Sequence, residues 1–514
     1  MGINQKIVTV KRALISVYDK NGLQPFVEKL NAQNIEIVST GGTGKVIRDL
    51  GISVIDISDF TGFPEVMDGR VKTINPRVEG GILGLRDKHS QEAKKYDINW
   101  IDLVVCNLYP FYETISREDC NLEMALENVD VGGPTMIRSA AKNLGWVGVV
   151  VDPFDYLQIA NEIETKNGIT FDTRKALSTK AFAHTAQYDA IIHDYLEEEK
   201  FPEKLTLTFN KNVEMRYGEN PHQAASSYKV LRNRKNNILS AKIHQGKKLS
   251  YNNIMDSDAA LACLSEFDEN ACVIVKHATP CGVAIGKDQK SVYSQAFQAD
   301  SMSAFGGVIA LNQTCSADTA KKISEVFVEI LIAPDFEKEA LEVLSVKKNL
   351  RVLEVGKIQK PKSRLQIRDL KGGLLVQETD ISTLNPDKLQ TVTNVLPSNS
   401  HITNMQFGWK VLKHIKSNAI LIAKDGVTIG VGAGQVSRLD AVNIALKKSG
   451  SDIQGSILCS DGFFPFRDSI DMIAYSGIEA VIQPGGSLRD EEVIDACNDH
   501  GVSMVFTGQR CFKH

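Results

Sequence analysis

Residues 273–286 read VIVKHATPCGVAIG: an apolar strand runs into an ammonium and an imidazole, Lys276 and His277, then into a Pro280-Cys281-Gly282 turn and a second apolar run. An imidazole can accept a proton near neutral pH, and an ammonium beside it can stabilise a developing anion. At a strand end of an open α/β sheet both heads reach a cleft. A Pro-Cys turn after a strand also belongs to zinc deaminases, which need P-C-x-x-C and an upstream H-x-E. Here Gly-Val-Ala follows Cys281, none of the ten histidines begins H-x-E, and H-E-x-x-H is absent. No metal site is expected.

Other stretches could hold an anion or place polar groups around a small ligand. STGGTGK, residues 39–45, follows a strand and opens a helix, so its backbone N–H groups and the helix dipole favour a phosphate. It is neither a P-loop nor a dinucleotide fingerprint, and it also fits an ordinary strand-to-helix turn. GRVKTINP, residues 69–76, sets Arg70 and Lys72 beside Thr73; two cations in a turn are equally a solvated surface. DVGGPTMIRSAAKN, residues 130–143, puts Asp130 before two glycines and a helix with Arg138 and Lys142 on one face, which also reads as an N-cap with a basic stripe. RYGENPHQ (216–223) is a dense polar turn, GVGAGQVSR (430–438) lets backbone approach a ligand, and SDGFFPFRD (460–468) sets three phenylalanines between Asp461 and Arg467.

The elements that must position these residues alternate between strand and helix. RALISVYD, IEIVST, IDLVVCNLYPF and WVGVVVDP read as strands, GLQPFVEKLNAQ and GGTGKVIRDLG as helices, the latter stopping at Gly51. This predicts a parallel α/β sheet. Residues 155–197 read as helical throughout. A charge run, a proline and a turn-rich segment then place a boundary near residue 200, giving regions 1–199 and 200–514. Downstream, VIVKH, GGVIAL, AILIAKDGVTIGVGAG, SILCSDG, AVIQPGG and VSMVFTG resume the alternation, and 335–365 reads as an exposed, charged excursion. Two similar halves within 200–514 are conceivable but not established by one sequence.

At 514 residues the chain is too long for one core. A composition of 43% hydrophobic and 24% charged residues is that of an ordinary globular protein, and a net charge of -4 argues against general attraction to nucleic acid. Nine scattered cysteines without a C-x-x-C pair fit a reducing compartment. Lysines interrupt the apolar residues of the N-terminus, and no apolar run is long enough to span a bilayer. A cytoplasmic protein without membrane or nucleic-acid partners is expected.

In order along the chain, SVYDK, STGGT, GRVKT, CNLYPF, DVGGP…AAKN, RYGENPHQ, VKHATPCG, SNAI…GAGQVSR, SDGFFPFRD and QRCFKH closely resemble the bifunctional purine biosynthesis enzymes. Those enzymes join IMP cyclohydrolase to aminoimidazole carboxamide ribotide (AICAR) formyltransferase. The resemblance covers essentially the whole chain. It implies a methylglyoxal-synthase-like N-terminal domain followed by two cytidine-deaminase-like α/β domains without zinc, and a homodimer sharing transferase sites. It implies 10-formyltetrahydrofolate as cosubstrate, with no tightly bound cofactor. Carried over by motif, the cyclohydrolase site comprises Ser16, Lys20, Ser39, Thr40, Gly41, Gly42, Thr43, Arg70, Lys72, Thr73, Cys106, Asn107, Tyr109, Asp130, Gly132, Gly133 and Lys142. Among these Lys72, Tyr109, Asp130 and Lys142 are implied to be catalytic. The transferase site comprises Arg216, Tyr217, Asn253, Lys276, His277, Phe305, Gly306, Glu329, Asn418, Arg438, Phe463 and Arg510, with Lys276, His277 and Asn418 catalytic. Tyr18 stands where many relatives have Ser, Asn75 where K-T-x-H-P carries His, and Glu329 where some members have Asp. A ligand sensor of the same fold with decayed catalysis is the competing reading; retention of Lys276, His277, Lys72 and Asp130 speaks against it.

Overall fold

The computed structural model describes residues 3–231 and 236–514. The chain forms two compact units, Met1–Thr208 and Phe209–His514.

In the first unit, strands β1 (Arg12–Val17), β2 (Glu36–Ser39), β3 (Ile55–Asp56), β4 (Leu103–Asn107) and β5 (Gly148–Val150) form one sheet in the order β3-β2-β1-β4-β5. Every pairing is parallel. The strands are near-continuous apolar runs because helices cover both faces. Leu14, Ile15, Val104 and Val105 are fully buried, and Phe26 stacks on Tyr156 at 4.7 Å in the layer above. The chain leaves β1 in one direction to β2 and returns on its other side to β4. A crevice therefore opens beyond the carboxyl ends of β1 and β4. The expectation that 155–197 is helical throughout is corrected: helices Tyr156–Lys166 and Phe171–Leu196 are separated where Asn167 (φ 53°) and Gly168 (φ 154°) leave helical geometry.

The second unit opens with a hairpin, β6 (Asn210–Met215) and β7 (Ala225–Lys229). Its main body is one twelve-stranded sheet. The first half contributes β8 (Lys242–Gln245), β9 (Asn270–Lys276), β10 (Thr279–Gly286), β11 (Val308–Leu311), β12 (Ile330–Ala333) and β13 (Arg351–Glu354). A second hairpin, β14 (Leu365–Leu370) with β15 (Gly373–Glu378), follows. The second half contributes β16 (Gln390–Thr391), β17 (Ile420–Lys424), β18 (Val427–Gly432), β19 (Ser456–Ser460), β20 (Ile478–Gln483) and β21 (Ser503–Phe506).

The order β16-β21-β20-β19-β17-β18-β10-β9-β11-β12-β13-β8 is the same six-strand arrangement written twice, back to back about the β10–β18 pair. Helices Tyr251–Leu264 and Asn399–Leu412 occupy matching places before β9 and β17. Both insert side chains into one shared core that contains Leu264, Phe267, Phe407 and Trp409. The unit is thus internally duplicated, which the sequence alone left open.

Two expectations are corrected here. Residues 335–365 are not an exposed excursion: β13 lies inside the sheet between β12 and β8, with Val352 and Leu353 fully buried. And Pro280-Cys281-Gly282 is strand, not turn. It belongs to β10, which pairs back on β9 from Thr279↔Lys276. The turn consists of His277 and Ala278, whose φ angles of 52° and 56° are both left-handed, as a two-residue hairpin turn that follows the strand twist requires.

Candidate active site

In the first unit a cavity of about 580 Å³ opens at the carboxyl ends of the strands. β1 supplies Ser16, the loop after it Lys20, and β4 supplies Cys106 and Asn107, followed by Tyr109. Thr40, Gly42 and Thr43 come from the N-cap and first turn of helix Gly41–Asp49, which follows β2, Arg70, Lys72 and Thr73 from the loop before helix Pro76–Leu83, and Asp130, Gly132 and Gly133 from the start of helix Gly132–Lys142. Two helix N-termini therefore face one cavity. In helix Gly41–Asp49 the first turn carries no acidic side chain, and the N–H groups of Gly41, Gly42 and Thr43 have no intrahelical acceptor. A Cβ on Gly42 would meet nothing within 4 Å and would project into open space.

Several predicted contacts are structural. Ser39 is fully buried, and its hydroxyl donates to the Ile15 carbonyl at 2.7 Å. Thr43 Oγ1 donates to the Val17 carbonyl at 2.9 Å and accepts from the Val17 N–H. Asn107 Oδ1 accepts from the N–H groups of Tyr18 and Asp19, at 2.6 and 2.9 Å, and so holds the loop after β1. Ser16 and Thr40 hydroxyls share a 2.9 Å hydrogen bond.

The charged groups are arranged in opposed pairs. Lys72 Nζ lies 2.9 Å from Glu65, and a Cβ on Gly41 (φ 21°) would stand 3.0 Å from the same Nζ. Arg70 pairs with Glu127, another lining residue. Asp130 is held in place by its carboxylate, which accepts from Gly133 N–H at 2.7 Å, and by its own N–H, which donates to Tyr188 Oη at 2.9 Å. Burial raises the Asp130 carboxyl, against the pull of the Gly133 and Tyr109 N–H groups. Burial, with Asp130 adding to it, also raises the Tyr109 phenol and the Cys106 thiol. All three shifts act in the direction of the protonated form. Lys142 does not line this cavity. It is exposed at the last position of helix Gly132–Lys142, roughly 15 Å of helix rise from Gly132.

In the second unit most of the predicted site residues lie at one end of the strands of the long sheet, in two groups. The first surrounds the β9–β10 turn. Lys276 Nζ donates to the Phe305 carbonyl at 2.8 Å, and His277 is exposed at the turn. Gly306 (φ 70°) follows Phe305, whose ring packs on Phe327 at 5.4 Å. Glu329 precedes β12, and its carboxylate accepts from buried Asn253 Nδ2 at 2.8 Å. Asp256, one helical turn after Asn253, accepts from the Ala278 N–H at 2.7 Å. Burial raises the Asp256 carboxyl, while its bonds to the turn and the nearby His277 act in the opposite direction.

The second group lines a cavity of about 460 Å³ with Asn418, Arg438, Phe463, Phe466 and Phe512. Arg438 is buried. It pairs with the fully buried Asp461 and donates to Asn418 Oδ1 at 2.8 Å, while Asn418 Nδ2 donates to the Gln435 carbonyl at 2.9 Å. Asn418 is thereby held from both ends. Arg510 lies over the Phe512 ring at 4.9 Å. Three strand spacings separate β9 from β17, so within one chain the groups stand roughly 14 Å apart. Arg216 and Tyr217, at the end of β6, line neither cavity.

Sequence reasoning did not single out Asp256, Glu65, Glu127 or Phe512, and it marked Phe466 only as one of the three phenylalanines of SDGFFPFRD, of which Phe464 is fully buried. For Asp256 a signal existed: in YNNIMDSD it stands three residues after Asn253, on the same helical face.

Two α/β units, one with a basic, helix-capped cavity at a strand switch point and one with a lysine-histidine turn and an aromatic cleft, define an enzyme that processes small polar molecules. The AICARFT/IMPCHase bienzyme pattern matches residues 140–448, and the MGS-like domain pattern matches residues 22–135. The bifunctional purine biosynthesis protein PurH of Bacillus cytotoxicus is 50% identical over 509 residues, covering 98% of this chain and 100% of that protein. PurH of Bacillus cereus is 49% identical over the same shares. The crystal structure of ForH is 35% identical to this chain, covering 36% of it and 95% of ForH, with a TM-score of 0.34, too low to bear on the fold. The chain belongs to the AICARFT/IMPCHase bienzyme family. It is a bifunctional enzyme of purine biosynthesis, with formyltransferase and cyclohydrolase activities, and its N-terminal unit contains an MGS-like domain.

Proposed function

We propose that each unit carries one of the two activities: the first closes the ring, the second transfers the formyl group from 10-formyltetrahydrofolate to AICAR. The observation that carries this reading is the separation of two chemically different sets of groups, one in each unit. No tightly bound cofactor takes part.

In formyl transfer the AICAR amine is a poor nucleophile, because its lone pair is delocalised into the imidazole and carboxamide. The formyl donor is an amide and a modest electrophile. His277 takes the amine proton as attack proceeds, and Lys276 stabilises the oxyanion or protonates the departing folate nitrogen. Asn418, fixed by Arg438 and Gln435, orients the histidine or the formyl oxygen. Phe463, Phe466 and Phe512 form a wall for an aromatic ring. The roughly 14 Å between the two groups favours a homodimer in which one copy's Asn418 group completes the other's Lys276–His277 group. The two halves of the second unit are read as tandem cytidine-deaminase-like domains without zinc.

In ring closure the carboxamide nitrogen attacks the formyl carbon and water leaves. The Gly41–Thr43 N–H groups hold the ribotide phosphate. Lys72 stabilises the oxyanion, and Asp130 and Tyr109, both shifted toward their protonated forms, give a proton to the departing water and take back the one the ring nitrogen loses. Lys142 enters this scheme only through a movement that brings it from its exposed position. The protein is read as cytoplasmic; among the described residues no helix is long and apolar enough to cross a membrane.

Supplying purified protein with AICAR and 10-formyltetrahydrofolate tests the whole reading. Inosine monophosphate should accumulate without further enzymes. Formyl-AICAR as the final product, or no product, would overturn it.

A further inference from the structure

The duplicated half-sheets contain an internal comparison at the turn that carries His277. In the first half, Ser250 caps helix Tyr251–Leu264 in a capping box with Asn253, and Asp256 on that helix accepts from the N–H of Ala278. In the second half, Ser398 caps helix Asn399–Leu412 in a capping box with His401, and Asn404 accepts from the N–H of Gly426 at 3.0 Å. The spacing is the same throughout: cap, clamp residue, strand-ending lysine (Lys276 or Lys424), then two left-handed turn residues. The second-half turn is Asp425–Gly426, with φ of 49° and 72°, the ordinary chemistry of a two-residue hairpin turn. The first-half turn puts His277 and Ala278 into the same conformation, where a Cβ is disfavoured at both positions. Asp-Gly needs little help to stay there. His-Ala does, and the clamp is correspondingly stronger: a carboxylate at 2.7 Å in place of an amide at 3.0 Å.

We infer that Asp256 is a positioning residue for formyl transfer: it holds the otherwise disfavoured left-handed turn and so fixes the direction of the His277 imidazole. The inference rests on the reading of His277 as the base. Asp256 touches the turn's backbone rather than a reacting atom, and its effect is carried through His277. Removing it lets the turn relax toward conformations that L-residues prefer, moving the imidazole away from the amine proton. A displacement of about 1 Å at a reacting group costs up to ~10²-fold in rate.

The test measures both activities of the full-length protein in a variant series. Asp256→Ala should lower the formyl-transfer kcat by ~10–100-fold with little change in the KM for AICAR, and leave cyclohydrolase turnover of supplied formyl-AICAR at the wild-type rate. Asp256→Asn, which keeps one acceptor as Asn404 does, should fall between Ala and wild type. Ala278→Gly removes the need for restraint. Asp256→Ala combined with Ala278→Gly should therefore regain most of the lost kcat, and the Asp256 series should flatten in the Ala278→Gly background. Placed on His277→Ala, Asp256→Ala should cost little more, because both act through one imidazole. If Asp256→Ala does not fold, the Asn variant measured with and without Ala278→Gly reads the same flattening. Wild-type transfer in Asp256→Ala, or a loss that Ala278→Gly does not relieve and that adds in full to His277→Ala, would overturn the inference. Near-normal transfer in a folded His277→Ala would overturn the base assignment instead.

Discussion

The two units solve the same problem differently. In the first, residues spread from Ser16 to Gly133 end in one cavity, because a parallel sheet delivers its strand ends and helix N-termini to a single side. In the second, two duplicated halves meet back to back, and the predicted site residues are strung along the strand ends in two groups. A switch-point crevice is complete within one chain. A long row of strand ends gives room for two substrates but leaves its groups apart. The first site should therefore tolerate isolation, whereas the second should depend on assembly.

The sharpest way to break the comparison is at the Lys276–His277 turn. His277→Ala should lower formyl transfer by ~10²–10⁴-fold, the usual worth of a positioned general base, with cyclohydrolase turnover unchanged. The AICAR dissociation constant should move much less than kcat, because the lost interaction matters mainly in the transition state. Parallel losses in both activities would show that the units are not independent.

The mirror experiment is Asp130→Asn, which should cut cyclohydrolase kcat by ~10²-fold or more and spare formyl transfer. Its pH profile sharpens the assignment. Because burial raises the Asp130 carboxyl in the folded protein, its proton is held to a higher pH than in the unfolded chain. Acting as an acid, it should give a cyclohydrolase rate that falls as pH rises through the raised value. The stability linked to that proton is present below the ordinary carboxyl value and lost over the same rise. In Asp130→Asn both dependences should disappear, as measured by rate and by thermal unfolding against pH.

Gly42→Val should have a smaller effect. The new side chain would project into open cavity where the phosphate is proposed to sit, raising the ribotide KM by about tenfold, or ~1.4 kcal/mol. Unchanged KM would remove the phosphate from this turn. Smallest of all is Glu65→Gln. It frees Lys72 from a half-exposed ion pair worth no more than about 1 kcal/mol, so the cyclohydrolase kcat should rise by about two- to fivefold.

The difference between the units also explains what could be read from sequence. The first site was legible because three of its motifs, around Ser16, Ser39 and Cys106, sit where an apolar strand stops, and a parallel sheet gathers such ends; the Arg70–Thr73 and Asp130–Gly133 motifs follow helical segments instead and were legible by residue type alone. The second was legible as motifs but not as geometry. Pro280 and Gly282 are turn-forming residues by type, yet the chain turns before both, at His277–Ala278, because Asp256 on a separate helix holds that conformation. Nothing local to the turn reveals this. Residues 335–365 looked exposed because the partner that helps bury Val352 and Leu353 is β8, about a hundred residues upstream. Lys142 was read as part of the first site from its motif, but it stands at the far end of the helix whose start lines the cavity.

The claim that each unit holds its own complete or incomplete site is tested most directly by dividing the chain at Thr208–Phe209. The N-terminal fragment, supplied with formyl-AICAR, should form inosine monophosphate at close to the rate of the whole chain and should show no formyl transfer. A folded fragment, confirmed by a cooperative thermal transition, that fails to close the ring would contradict the account.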